Sequence, residues 1–188
     1  SLVSGYGRAG NSGSFSIRTA VAGNSGASGS MHLSTGGAGA GPSGGMHLRT
    51  GNSAGGTGGS LSLVVGAGDT AVGGRLALGA GESTAATGGS VSLVSGFGRA
   101  TSSGAFSIRT ADAGTNGVSG DLTFATGAGN GGSSGPIILR SGNGTKGTGG
   151  SLSVIVGSGN KASGGRVTVS AGRSVATGGT GGSFSMVS

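Results

Sequence analysis

The residues best suited to chemistry are arginines that recur at fixed positions of a short repeat. Six of the nine form a set that we call the arginine ladder: Arg18, Arg49, Arg75, Arg109, Arg140 and Arg166. Stacked guanidinium groups repel one another unless water, salt or an anionic partner screens them. Two interpretations follow. The ladder binds anionic polysaccharide, phosphate-bearing polymer or mineral, or it is solvated charge that prevents aggregation.

Other outward positions suggest contact or modification rather than catalysis. An aliphatic set is predicted to pack laterally against another copy, although ordinary β propensity is an alternative explanation; it consists of Val64, Val94, Ile155 and Val187. Asn143-Gly144-Thr145 is an N-glycosylation sequon in a loop, so a glycoprotein is a further hypothesis.

Catalytic, metal and cofactor sites are not expected. Four carboxylates do not recur at a coil spacing, which argues against repeated calcium sites; they are Asp69, Glu82, Asp112 and Asp121. His32 and His47 have no cysteine beside them, because the chain contains none. The GxGxxG matches at residues 5–10 and 142–147 are expected by chance in a glycine-rich chain and precede no βαβ unit.

Two classes of partner are also not expected. The net charge of +7 is compatible with nucleic acid, but the outward positions carry no aromatic residues on which bases could stack. No apolar run approaches the length of a membrane span. The predicted partners are therefore further copies of the repeat, end to end or side by side, and anionic polysaccharide or mineral.

The composition limits which elements can position these residues. Glycine contributes 51 of 188 residues, and aromatic residues only 3%. Such a chain cannot fill a broad core, because buried apolar area must offset the backbone entropy lost on folding, and glycine loses most. Two prolines exclude collagen. An ordered fold would need a thin core built by repetition.

A strand-like unit recurs about every fifteen residues, and this periodicity favours an ordered repeat over a disordered linker. Each unit has apolar residues at its second and fourth positions, as in SFSIRTA from Ser14 and SLSLVVG from Ser60. This alternation is typical of a half-buried strand. The first large apolar residues of successive units are Phe15, Met31, Met46, Leu61, Leu76, Val91, Phe106, Leu122, Ile137, Leu152, Val167 and Phe184.

The pattern predicts an all-β fold, a parallel β-solenoid. Arginine and aliphatic residues alternate at the fifth position of successive units, which favours coils of about thirty residues with two strands. A one-strand coil of about fifteen residues, as in some insect antifreeze proteins, is the alternative. Paired glycines between the strands would supply the positive φ angles of tight corners.

A longer repeat groups these units by six. The segment SLVSGYGRAG from Ser1 returns as SLVSGFGRAT from Ser92, which predicts internal modules 1–91 and 92–182. The chain begins and ends within a unit, so we expect residues 1–188 to be one continuous solenoid segment of a longer protein.

The segments GGSLSLVVGAG, GGSVSLVSG and ASGGRVTVSAG resemble the glycine- and serine-rich repeat proteins of diatoms and related algae. The resemblance covers the whole chain and implies a long secreted or cell-surface protein without catalytic residues. We accordingly predict a non-enzymatic, extracellular structural fibre or stalk built from stacked β-coils. The alternative is a surface-binding module whose arginine ladder docks on anionic polysaccharide or mineral. Ice binding is less favoured, because outward threonines are sparse.

Overall fold

The computed structural model describes residues 1–8, 10–160 and 163–187, and within them the backbone forms neither an α-helix nor a β-strand. The predicted all-β parallel β-solenoid, with its two-strand coils, is therefore wrong. The chain consists of irregular segments separated by bends, which lie at residues 39–41, 54–56, 69–71, 84–86, 99–101, 130–132 and 145–147. The repeat of about fifteen residues thus has a structural counterpart in the bends rather than in strands.

The chain divides into two units, Ser1–Ser92 and Leu93–Ser188. The first unit ends at the residue where the second sequence module begins. Since neither unit contains a strand among its described residues, the word solenoid applies to neither. The two sequence modules remain a prediction.

No residue that the structure describes is buried, so the described apolar side chains form no hydrophobic core. The chain exposes 18437 Å² of surface. A compact protein of this mass would expose about 7,700 Å², and its unfolded chain about 24,600 Å². The least exposed residues are only half-buried: Ser4, Gly7, Ala22, Thr50, Ser95, Gly98, Thr110 and Ser174.

The alternation within each unit persists in the exposure of its side chains, although no strand forms. Val64 is 87% exposed, whereas the next residue, Val65, is 41% exposed. The sequence pattern therefore encodes an alternation of more and less exposed side chains, but it does not ensure that the strand-like segments pair by hydrogen bonds. Each unit offers few large apolar side chains, and ordering its many glycines costs more conformational entropy than ordering other residues. This imbalance explains why strand-like segments are left unpaired.

The recurring local structure is a loop closed by one hydrogen bond between backbone groups. In residues 66–74, for example, Gly74 N–H donates to the Gly66 carbonyl over 3.3 Å, and in residues 96–104 the bond from Gly104 to Gly96 measures 2.9 Å. Equivalent bonds define six segments that we call glycine-closed loops: residues 5–13, 66–74, 81–89, 96–104, 142–150 and 172–182. In the first of them, Ala9 lies outside the described residues.

The predicted role of the paired glycines is also wrong. Among the described residues only Gly131 and Gly178 have positive φ angles, and neither is the closing residue of a glycine-closed loop. The closing glycine Gly74, and Gly165 outside these loops, are required for another reason, close approach. A Cβ on Gly74 would overlap Val65 Cγ1, and a Cβ on Gly165 would overlap Val156 Cγ1. Val65 and Val156, each 41% exposed, are the most protected large apolar side chains in the described chain.

This close approach gives a prediction about substitution. Gly74→Ala should open the loop and expose Val65, because the new methyl group cannot share the space that the valine occupies. The loss should be about that of one hydrogen bond, ~1 kcal/mol. We expect the solvent accessibility of the Val65 methyl groups, measured by paramagnetic relaxation, to approach that of Val64.

Gly73→Ala is the matched control for this substitution. A Cβ on Gly73 meets nothing within 4 Å, and both variants change the flexibility of the chain in the same way. Equal accessibility of Val65 in the two variants would show that close approach does not hold the loop.

No helix in the part of the chain that the structure describes is long and apolar enough to cross a membrane.

Candidate functional site

Every member of the arginine ladder is exposed, so all six guanidinium groups are accessible to an anionic partner. Shallow open concavities lie at three of them, Arg18, Arg49 and Arg140. Each concavity is lined by four consecutive residues, as by Met46 to Arg49. These are local surface depressions beside single arginines, and each presents one cation to solvent.

Four ladder arginines precede a side-chain hydroxyl at the next position, as in Arg49-Thr50, Arg109-Thr110 and Arg140-Ser141. Thr50 and Thr110 are half-buried. The fourth pair is Arg18-Thr19, whose two residues line the same concavity. In each pair the exposed guanidinium group is the donor suited to carboxylate, sulfate or phosphate, and the Ser141 hydroxyl already donates to the Gly150 carbonyl.

The pair Arg140-Ser141 adjoins a glycine-closed loop. Ser141 Oγ donates to the Gly150 carbonyl over 2.6 Å, and Gly150 N–H donates to the Gly142 carbonyl over 3.3 Å. Two bonds therefore close the loop directly after Arg140. This closure fixes the backbone on the carboxyl side of the arginine.

The other two ladder arginines have a different local setting. Arg75 follows the closing glycine Gly74, and Arg166 follows Gly165, which closely approaches Val156. Neither arginine is followed by a hydroxyl residue. Among the ladder arginines, Arg140 thus lies just before a glycine-closed loop and Arg75 directly after one.

The aliphatic set is highly exposed. Its exposed fractions range from 85% at Ile155 to 92% at Val187, and Val64 and Val94 lie between these values. Val64 and Ile155 are more exposed than Val65 and Val156, the residues that follow them. Lateral packing through the aliphatic set stays a prediction.

Asn143 is exposed near the start of the glycine-closed loop 142–150. It lies between two glycines in the sequence Gly142-Asn143-Gly144. A Cβ on Gly144 would lie 2.6 Å from the Thr148 carbonyl oxygen, so the backbone at Gly144 closely approaches the opposite side of the loop. The sequon asparagine is therefore presented next to a tightly packed glycine, where an attached glycan would meet no buried surface.

The same arrangement recurs in four glycine-closed loops, each of which presents the residue of a Gly-x-Gly segment. The presented residues are Tyr6, Ala67, Phe97 and Asn143. Sequence reasoning missed this feature because it treats the GxGxxG matches at 5–10 and 142–147 only as possible dinucleotide-binding motifs. The recurrence of Gly-Tyr-Gly-Arg as Gly-Phe-Gly-Arg in the second module was the signal that could have revealed it.

No group of three or more acidic or histidine side chains among the described residues is placed to hold a metal ion. His32 and His47 are exposed. Asp69 and Glu82 lie in separate glycine-closed loops, 66–74 and 81–89.

No protein-family model matches the chain, and no curated protein or solved structure is detectably similar to it.

Proposed function

We propose that this chain is a structural repeat segment of an extracellular or cell-surface protein, and that it acts as a spacer rather than as an enzyme. The observation that carries the proposal is the recurrence of glycine-closed loops in a chain without buried residues among those described. Enzymes place reactive groups in concave, water-excluding sites. The concavities beside Arg18, Arg49 and Arg140 are shallow and open, and each is lined by a single run of four residues.

The spacer function is supported by the local character of the contacts, because such a chain can be lengthened by adding repeats. Each glycine-closed loop is held by bonds within nine to eleven residues, so these loops are local structures. A repeat of this kind can be lengthened without redesign, since every added module brings its own contacts. The resemblance to the glycine- and serine-rich repeat proteins of algae supports a long secreted or surface-attached parent.

Small-angle scattering of tandem copies tests this function. For chains with one, two and four copies of the 188-residue sequence, we expect the radius of gyration to rise by a factor of at least about 1.5 per doubling. A compact protein would rise by only about 1.3 per doubling, because its radius grows with a smaller power of length. The smaller factor would contradict the spacer function.

A second candidate function is docking on an anionic polysaccharide or mineral through the arginine ladder. The observation that favours it is the exposure of all six ladder arginines, three of them at open concavities. The two functions are compatible, because a spacer that adheres along its length would also anchor its parent protein to a charged matrix.

A further inference from the structure

The two Gly-aromatic-Gly-Arg loops form a pair that the arginine ladder does not include. Tyr6 and Arg8 lie in the loop 5–13, and Phe97 and Arg99 lie in the loop 96–104. Both loops are closed by a glycine-to-glycine hydrogen bond of 2.9 Å. The second pair follows the first at the length of one module, so each module carries one such loop.

These two rings are the most exposed aromatic groups of the described chain. Tyr6 is 90% exposed and Phe97 is 86% exposed, whereas the segment aromatics Phe15 and Phe106 are 60% and 58% exposed. Exposing a large ring to water forgoes the free energy that its burial would release. A ring so placed in both modules is suited to contact with a ligand.

The glycine between ring and arginine is held by close approach. A Cβ on Gly7 would lie 2.6 Å from the Asn11 carbonyl oxygen, and a Cβ on Gly98 would overlap the Ser102 carbonyl. Both glycines are half-buried. The backbone therefore crosses the loop tightly at the glycine between the aromatic residue and the arginine, and both of those side chains are exposed.

We infer that these loops are binding sites for an acidic polysaccharide, with one sugar residue contacted per loop. The aromatic ring offers a flat apolar surface to the C–H face of a sugar ring. The guanidinium group offers paired N–H donors to its carboxylate or sulfate. Neighbouring polar side chains supply donors and acceptors for sugar hydroxyls; they are Asn11 and Ser12 in the first loop and Thr101, Ser102 and Ser103 in the second.

The distribution of rings favours sugar over single-stranded nucleic acid. Proteins that bind single strands stack several successive bases along a basic groove. Here each module offers a single ring on a glycine-closed loop, so there is no row of stacking platforms within either loop. Tyr6 and Phe97 each carry an aromatic ring, but only Tyr6 carries a hydroxyl group. The face of the ring is therefore the recognition element that the two loops have in common.

Tyr6 reports on its own loop, because the chain has one tyrosine and no tryptophan. We expect polygalacturonate, titrated into the full chain at 0.15 M salt, to protect tyrosine fluorescence from acrylamide quenching. At this salt the Debye length is about 8 Å, so long-range attraction is largely screened. Binding that leaves Tyr6 equally open to quenching would overturn the inference, as would equal protection by poly(dT).

Substitution separates the rings from charge. Tyr6→Ala with Phe97→Ala should lower the affinity for polygalacturonate by about tenfold or more, with the net charge unchanged. The control is Phe15→Ala with Phe106→Ala, which removes two rings at the same separation and should change affinity less than twofold. Equal losses in both variants would contradict the assignment.

A second comparison tests the arginines in the same way. Arg8→Ser with Arg99→Ser should weaken binding more than Arg75→Ser with Arg166→Ser, although both variants lose two charges one module apart. Equal losses would mean that only total charge matters. Because the inference is read from fluorescence and affinity, it can fail while the scattering result still supports the spacer function.

Discussion

Replacing all six ladder arginines with serine is expected to abolish retention of this chain on sulfated polysaccharide. The change removes six of the seven net positive charges. With about 0.5 kcal/mol for each exposed charge, the combined loss corresponds to at least about a hundredfold in affinity at low salt. The measurement is the dissociation constant on immobilised dextran sulfate between 0.02 and about 1 M salt, where the Debye length falls to about 3 Å.

A charge-preserving variant distinguishes simple attraction from bidentate recognition. Changing the same six residues to lysine keeps the net charge but removes the planar fork of the guanidinium group. We expect this variant to retain binding at low salt and to elute at lower salt than the parent chain. Unchanged retention in the serine variant would mean that the ladder serves solubility alone, and increased aggregation of that variant would then be its main effect.

The predictable part of this protein is local. The alternation of exposed and protected positions is evident from the sequence, as Val64 and Val65 illustrate. The sequence also marks the loops, since a glycine precedes each strand-like segment and the bends recur between them. Positions within one repeat are decided by neighbouring residues, and for this reason they can be inferred without a structure.

Pairing between segments was not predictable in the same way. A period of two is necessary for a half-buried strand, but it does not supply the apolar area that makes pairing favourable. Serines and glycines fill most of the remaining positions, so the gain from burial is small and the entropic cost of order is large. The solenoid prediction treated periodicity as sufficient, and the structure contradicts it.

The candidate site was predictable only in part. The exposed arginines follow from their outward positions, but the local settings of Arg75 and Arg140 depend on which glycine closes which loop. The backbone after Arg140 is held by the hydrogen bond from Ser141 to Gly150, whereas Arg75 directly follows the closing glycine of a loop. The presentation of Tyr6 depends on close approach at Gly7, which the sequence marks only as a Gly-aromatic-Gly-Arg segment that recurs in the second module.

The central claim is that glycine-closed loops, and not paired strands, are the ordered elements of this repeat. In that case backbone protection against hydrogen exchange should be small and confined to the closing glycines. A single exposed hydrogen bond is worth about 1 kcal/mol, so these amides should exchange no more than about tenfold slower than an unstructured chain. Amides of the strand-like segments, such as Leu61 to Val65, should exchange at unprotected rates.

Amide hydrogen exchange followed by nuclear magnetic resonance tests this claim most directly. We expect slight protection at the closing glycines, namely Gly13, Gly74, Gly89, Gly104, Gly150 and Gly182, and none along the segments between the loops. A stable ladder of strands would instead protect segment amides by about a thousandfold or more, since they would open only with the whole fold. Protection of that size across residues 61–65 and 152–156 would contradict the account.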